Sequence, residues 1–93
     1  MEKTYNGWTN YATWRVNLEL VDGLSPRDMD WDGMPLSGLA YAIKEYVEYI
    51  ICPLRANTLA ENYALAFVSD VNWSEIAKHM IENYADQWEE EAA

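Results

Sequence analysis

The clearest pattern along the chain is an apolar stripe between residues 36 and 52. Apolar side chains recur there every three or four residues, which is the period of one face of an α-helix. The stripe consists of Leu36, Leu39, Ala40, Ile43, Tyr46, Val47, Ile50 and Ile51. Pro53 follows it and cannot continue a helix. The pattern therefore predicts a helix over 36–52 that buries this face.

Two shorter helices are predicted on either side of this one. Asn10 is a suitable cap for a helix over about 10–22. Asn57 or Thr58 is a suitable start for another helix, over 58–70. The inward-facing residues of that second helix are predicted to be Leu59, Tyr63, Ala66 and Phe67.

The fourth predicted helix spans 73–90 and follows a good N-cap residue, Asn72. Its buried face is predicted to consist of Trp73, Ile76, Ala77, Met80, Ile81, Tyr84 and Trp88. Four amphipathic helices with short connections predict a small all-α bundle. Because 93 residues are the size of one domain, we expect a single domain over 1–93.

Charge is what distinguishes this chain from an ordinary small bundle. It carries 16 acidic and 6 basic residues, for a formal net charge of −10. Low hydrophobicity would make that charge a sign of disorder, but hydrophobic residues make up 51% of the chain, so we expect it to fold. The negative charge argues against direct binding to nucleic acid or to anionic membranes and favours a basic protein partner. A homodimer is also compatible with a small helical protein of this kind.

Five carboxylates of the fourth predicted helix share one face. They are Glu75, Glu82, Asp86, Glu89 and Glu90. Carboxylates one helical turn apart are separated by about 5–6 Å along the axis, and the phosphates of a nucleic-acid strand recur on a similar scale. We interpret the row as a binding surface that can occupy a basic groove built for a nucleic-acid backbone. The alternative is a solvated face with no partner.

A second acidic cluster lies in Asp28-Met29-Asp30-Trp31-Asp32-Gly33. Alternating Asp residues followed by Gly match the first half of an EF-hand calcium loop. The match fails at the twelfth position, where Leu39 replaces the bidentate Glu, and we predict no metal site. An acidic turn, a second patch of the binding surface and a weak cation site of another type remain open for Asp28, Asp30 and Asp32. Trp31 has no evident core position and is predicted to be an exposed partner contact, because Trp is frequent at the dominant positions of interfaces.

Residues that could carry catalytic chemistry are sparse. The chain has one cysteine, Cys52, in an apolar run that predicts burial, and one histidine, His79, predicted at the surface. Neither a Gly-rich phosphate loop nor zinc-type ligand spacing is present. We therefore predict a non-enzymatic protein with no catalytic residues and no cofactor. The sequence shows neither the basic-then-apolar pattern of a signal peptide nor an apolar run long enough for a membrane span.

Two sequence blocks carry a resemblance to a known family. The first is Tyr5-Asn6-Gly7-Trp8-Thr9-Asn10-Tyr11-Ala12-Thr13-Trp14, and the second is Val71-Asn72-Trp73-Ser74-Glu75-Ile76-Ala77-Lys78-His79. They resemble two blocks of a family of small acidic proteins found in phages and mobile elements. The chain departs from that family at Ala12, where a Glu is usual. That Glu would complete a capping box with Thr9.

The resemblance implies a phage-borne accessory protein that acts in the cytoplasm of an infected bacterium. Small acidic proteins of that origin are often inhibitors of host defence, such as anti-CRISPR or anti-restriction proteins. Together with the charge, it leads us to expect a nucleic-acid mimic that binds a basic groove of a Cas or restriction subunit. The alternative is a protein-binding module without mimicry, which docks through an apolar patch around Trp31 and uses its charge for solubility.

Overall fold

The computed structural model describes residues 4–92, and the side chains of residues 4–88, as an all-α bundle. Helix α1 spans Tyr11–Val16 and continues as a π-helix over Asn17–Val21. After a 3₁₀ turn at Arg27–Met29 come α2 at Leu36–Ile51 and α3 at Leu59–Val68. The chain ends with α4 at Trp73–Asn83 and α5 at Ala85–Ala92. The predicted all-α fold is confirmed, with no strand element among the described residues.

Side-chain caps begin three of the helices. The Asn10 side chain accepts from the Thr13 N–H at the start of α1, and the Asn72 side chain accepts from the Glu75 N–H at the start of α4. Thr58 forms a complete capping box with Glu61 at the start of α3. These caps confirm the helix starts predicted from the sequence. Helix α2 instead follows Pro35, and no side-chain hydrogen bond caps it.

The core lies mainly between α2 and α4. The α2 side chains at its centre are fully buried, as the apolar stripe predicts, and they pack in one cluster with α4. That cluster includes Leu39, Ala40, Ile43, Val47, Ile76, Ala77 and Met80. The two ends of the stripe are not buried, since Leu36 and Ile50 are exposed. Among the described residues, no helix is long and apolar enough to cross a bilayer.

The predicted inward face of α3 is wrong. Leu59, Tyr63, Ala66 and Phe67 are all exposed, whereas Val68 is buried and Leu65 packs partly against the core. The helix is apolar on almost every side, so the spacing of its apolar residues does not indicate which face turns inward. Packing against α1 and α2 decides the orientation instead.

The predicted helix over 73–90 is interrupted at Tyr84. The backbone of Tyr84 leaves the helical region, with φ −124° and ψ 42°, and α5 begins one residue later. No Pro or Gly marks this position, so the sequence carries no local signal for the break. Tyr84 packs partly against the core, and the break places Asp86 on a different helix from Glu82.

The capping box at α3 predicts a specific dependence of stability on pH. The pKa of Glu61 is lowered chiefly by the hydrogen bond from the Thr58 N–H, against an ordinary value of 4.5. A lowered folded-state pKa means that the stabilisation is complete above the unfolded value and is lost as the pH falls through the folded value. We expect urea unfolding between pH 7 and pH 2 to show this loss in the wild type.

Glu61→Gln is the matched control, because Gln can complete a capping box but does not titrate. The wild type and Glu61→Gln should therefore differ less in urea midpoint at the acidic end of the series than at neutral pH. Parallel pH profiles for the two proteins would contradict the role of the ionised Glu61.

Candidate functional site

The acidic loop at residues 25–34 is anchored by a buried tryptophan. Trp31 is only 7% exposed, and its ring lies edge-on to that of Tyr46, with centroids 5.7 Å apart. Its backbone N–H donates to the Pro26 carbonyl at 2.8 Å, and Pro26 is itself fully buried. The prediction of an exposed Trp31 is therefore wrong. The hydrogen bond to Pro26 folds the loop back, so that the indole packs against α2. The alternation of Asp and apolar residues in the loop does not predict this packing, because it depends on a distant helix.

The loop holds its three aspartates around this anchor. Asp28 and Asp30 are exposed, and Asp30 adopts the left-handed conformation, with φ 64°, that Asp tolerates in turns. The Asp32 carboxylate is mostly buried and lies 3.8 Å from Nε of Arg27. Across the described residues, no three His, Cys, Asp or Glu side chains are arranged to hold a metal ion.

Helix α5 docks on this loop through two long-range hydrogen bonds. The Gln87 side-chain oxygen accepts from the Arg27 N–H at 2.9 Å. The Trp88 indole N–H donates to the Met34 carbonyl at 2.7 Å. These bonds bring the acidic loop next to the helix that carries Asp86. The sequence indicates two separate acidic surfaces, whereas the structure places parts of both at one end of the molecule.

We call this region the acidic end and define it by Asp28, Asp30, Asp32 and Asp86. Asp86 is exposed, and the exposed Glu82 precedes it by four residues, on the other side of the break at Tyr84. Glu89 and Glu90 belong to α5, but their side chains lie outside the described residues. The row of five carboxylates predicted on one helix face is thus divided between two helices.

Glu75, at the far end of the predicted row, has an internal partner. Its two carboxylate oxygens accept from the Thr9 N–H at 3.0 and 3.2 Å, and the side chain is half-buried. Glu75 and Glu82 both line an open groove of about 430 Å³. The groove is lined by Asn6, Gly7, Trp8, Glu75, Lys78, His79 and Glu82. His79 is half-buried there, with its ring 4.8 Å from that of Trp8, and not on a fully solvated surface as predicted.

The two sequence blocks that carry the family resemblance lie against each other. Thr13 is fully buried, and its side-chain oxygen accepts from the Asn72 N–H at 2.9 Å while its hydroxyl donates to Asn10 at 2.7 Å. The Asn10 amide nitrogen donates to the Asp70 carbonyl at 2.8 Å. The caps of α1 and α4 therefore form one hydrogen-bonded seam. These residues have internal partners, which indicates a structural role for much of both blocks.

Cys52 is buried, as predicted. Burial raises the pKa of its thiol, and a hydrogen bond with Glu61 raises it further. The residue lines a groove with Arg55 and Glu61, whereas His79 lines the groove beside Trp8. A raised pKa disfavours the thiolate, which is the reactive form of cysteine.

The arrangement best suited to recognition is the acidic end, because buried anchors fix its position while the carboxylates of Asp28, Asp30 and Asp86 are exposed. Comparison of the chain with protein-family models, with curated proteins and with solved structures found no match.

Proposed function

We propose that the protein is an inhibitor that binds a basic groove of a nucleic-acid-handling complex through the acidic end. The observation that carries this proposal is the docking of α5 on the Asp loop, through Gln87 and Trp88. It brings the helix that carries Asp86 next to the loop that carries Asp28, Asp30 and Asp32, and Asp32 lies beside Arg27. A concentration of one sign of charge steers association with an oppositely charged partner.

Rigidity supports mimicry over a diffuse acidic coat. The buried side chains of Trp31 and Pro26 fix the loop to the core, and the hydrogen bond from the Trp88 indole fixes α5 to the same loop. Charges held in place before binding cost less ordering entropy than charges on mobile side chains and segments. A basic groove that normally holds a phosphate backbone is the partner that such a preorganised acidic surface fits best.

The biological setting of the proposal rests on the family resemblance. It is the cytoplasm of a bacterium infected by a phage, with a Cas or restriction subunit as the partner. The proposed contact residues are the four of the acidic end, Asp28, Asp30, Asp32 and Asp86, together with Glu82 at the end of α4 and Glu89 and Glu90 on α5. Trp31 and Glu75 leave the predicted set, because one is in the core and the other binds the Thr9 N–H. The alternative of docking through an exposed Trp31 loses its anchor for the same reason.

The proposal is tested by charge reversal in Glu82→Lys/Asp86→Lys. Affinity capture from a bacterium that carries CRISPR and restriction systems should recover a Cas or restriction subunit with the wild type. The double variant should bind that subunit more weakly by about tenfold or more, since reversed charges then face a basic groove. Wild-type binding should also weaken steeply with salt, because exposed charges are screened over about 8–10 Å.

Glu45→Lys/Asp70→Lys is the matched control, since it changes the net charge equally at exposed positions on α2 and after α3. It should retain most of the binding. Duplex or single-stranded DNA should compete with the wild type for the captured subunit. Full binding by Glu82→Lys/Asp86→Lys, or failure of DNA to compete, would contradict mimicry.

A further inference from the structure

Helix α3 presents an apolar stripe to solvent. Leu59, Tyr63 and Phe67 follow one another at intervals of four residues and therefore share a face. They are 69%, 72% and 40% exposed. Helices that are apolar on all sides are normally buried, yet Val68 is the one residue of α3 that is buried here. The stripe is therefore a surface that lacks a covering partner within the described chain.

The stripe continues into an exposed aromatic cluster. The Phe67 ring lies 6.2 Å from that of Tyr11, and Tyr11 lies 5.1 Å from Tyr5. Both tyrosines are exposed. We call the surface formed by Tyr5, Tyr11, Leu59, Tyr63 and Phe67 the α3 face. Single exposed apolar residues are ordinary, whereas a contiguous set of this kind marks an interaction surface.

An apolar groove of about 230 Å³ runs beside the stripe. It is lined by Arg15, Val16, Glu19, Leu20, Ile51, Ala64, Phe67 and Val68. The α3 face thus combines a projecting ridge, centred on Tyr63, with a neighbouring hollow. A ridge beside a hollow is the arrangement that a two-fold axis makes self-complementary, because the ridge of each copy can enter the hollow of the other.

The α3 face is also nearly neutral in a strongly negative chain. Arg15 and Glu19 on the groove wall pair with each other at 2.8 Å. Glu61, the one charged residue of α3, is used in the capping box with Thr58. Two copies that each carry a charge of −10 repel at most orientations. They can approach most closely through a surface of low net charge.

We propose that the α3 face binds a second copy of this chain in a two-fold homodimer. From the exposed fractions, its five large side chains offer roughly 500 Å² of apolar area, with about 150–250 Å² per aromatic residue. A standard interface buries about 800 Å² per partner, of which about 65% is apolar in homodimers. The available area therefore matches what a stable dimer needs. Helix α3 packs on α1 and α2, whereas α5 packs on α4. The α3 face and the acidic end therefore belong to different helices, and the dimer carries one acidic end on each copy.

Sedimentation equilibrium of the full chain over a range of protein concentrations tests the dimer. The wild type should have twice the monomer mass of 10.8 kDa. Tyr63→Lys should weaken dimerisation by at least about tenfold, since it places a charge at the centre of the apolar interface. Tyr41→Lys, at a tyrosine of α2 that is 62% exposed, is the matched control and should remain dimeric. Circular dichroism should show the same helix content in all three proteins.

A wild type that stays monomeric across the concentration series would overturn the proposal. So would a dimer that Tyr63→Lys leaves intact while the helix content is unchanged. A monomeric wild type whose binding to a captured subunit is lost in Tyr63→Lys would assign the α3 face to that subunit instead, and would equally overturn the homodimer.

Discussion

Replacing Trp31 with alanine is expected to lower the free energy of unfolding by about 3–5 kcal/mol, the range for removing a large aromatic side chain from a core. Trp31 is 7% exposed and packs edge-on against Tyr46, so its loss leaves a cavity between the acidic loop and α2. The same change should loosen the loop that holds Asp28 and Asp30. Urea unfolding followed by far-UV circular dichroism measures the first effect.

Tyr41→Ala is the comparison for this variant, because it also removes a large aromatic ring but at an exposed position on α2. Its urea midpoint should differ little from that of the wild type. If Trp31→Ala instead unfolded at the wild-type midpoint and lost only partner binding, Trp31 would be a contact residue after all. The pair of variants therefore separates a core role from an interface role.

Replacing Thr13 with valine is expected to cost about 1–3 kcal/mol of stability, although the two side chains have nearly the same shape. The Thr13 side-chain oxygen accepts the Asn72 N–H at 2.9 Å, and its hydroxyl donates to Asn10 at 2.7 Å. Thr13 is fully buried, and valine in its place leaves the partly buried Asn72 N–H without this partner. The effect should appear in urea unfolding as a lower midpoint with an unchanged slope.

Thr9→Val makes the same substitution four residues earlier and acts on the same partner residue. The Thr9 hydroxyl oxygen accepts only a longer bond of 3.2 Å from the Asn72 amide nitrogen, at an exposed position. We expect a change within about 0.5 kcal/mol, as for most surface substitutions. Equal losses in the two variants would show that the seam between α1 and α4 is not held chiefly by Thr13.

Local signals in the sequence predict most of the helix starts. Asn10, Thr58 and Asn72 cap the helices that they are predicted to cap, because a capping side chain acts on backbone groups two or three residues away. The core face of α2 is predicted for a similar reason, since the spacing of its apolar residues places them on one side of the helix. These features depend on short stretches of chain, and short stretches are what a sequence pattern describes.

The features that position the candidate site depend on distant residues instead. The break at Tyr84 places α5 where Gln87 and Trp88 reach Arg27 and Met34, at separations of 60 and 54 residues. The burial of Trp31 depends on a surface of α2 that the loop itself does not reveal. The prediction of the buried face of α3 is wrong for a different reason. Apolar residues lie on almost every side of this helix, so their spacing does not indicate which side is buried. The sequence therefore predicts the acidic segments but not their meeting at one end.

The seam between α1 and α4 also governs when the N-terminal part of the chain can finish folding. Thr9, Asn10 and Thr13 bond to Glu75, Asp70 and Asn72, which follow them by 59 to 66 residues. At synthesis rates of about 5–20 residues per second, those partners leave the ribosome roughly 3–13 s after the residues that need them. Until then the start of α1 lacks its hydrogen-bond partners at the start of α4. The first helix in the sequence is thus secured to the rest of the fold only after α4 has been synthesised.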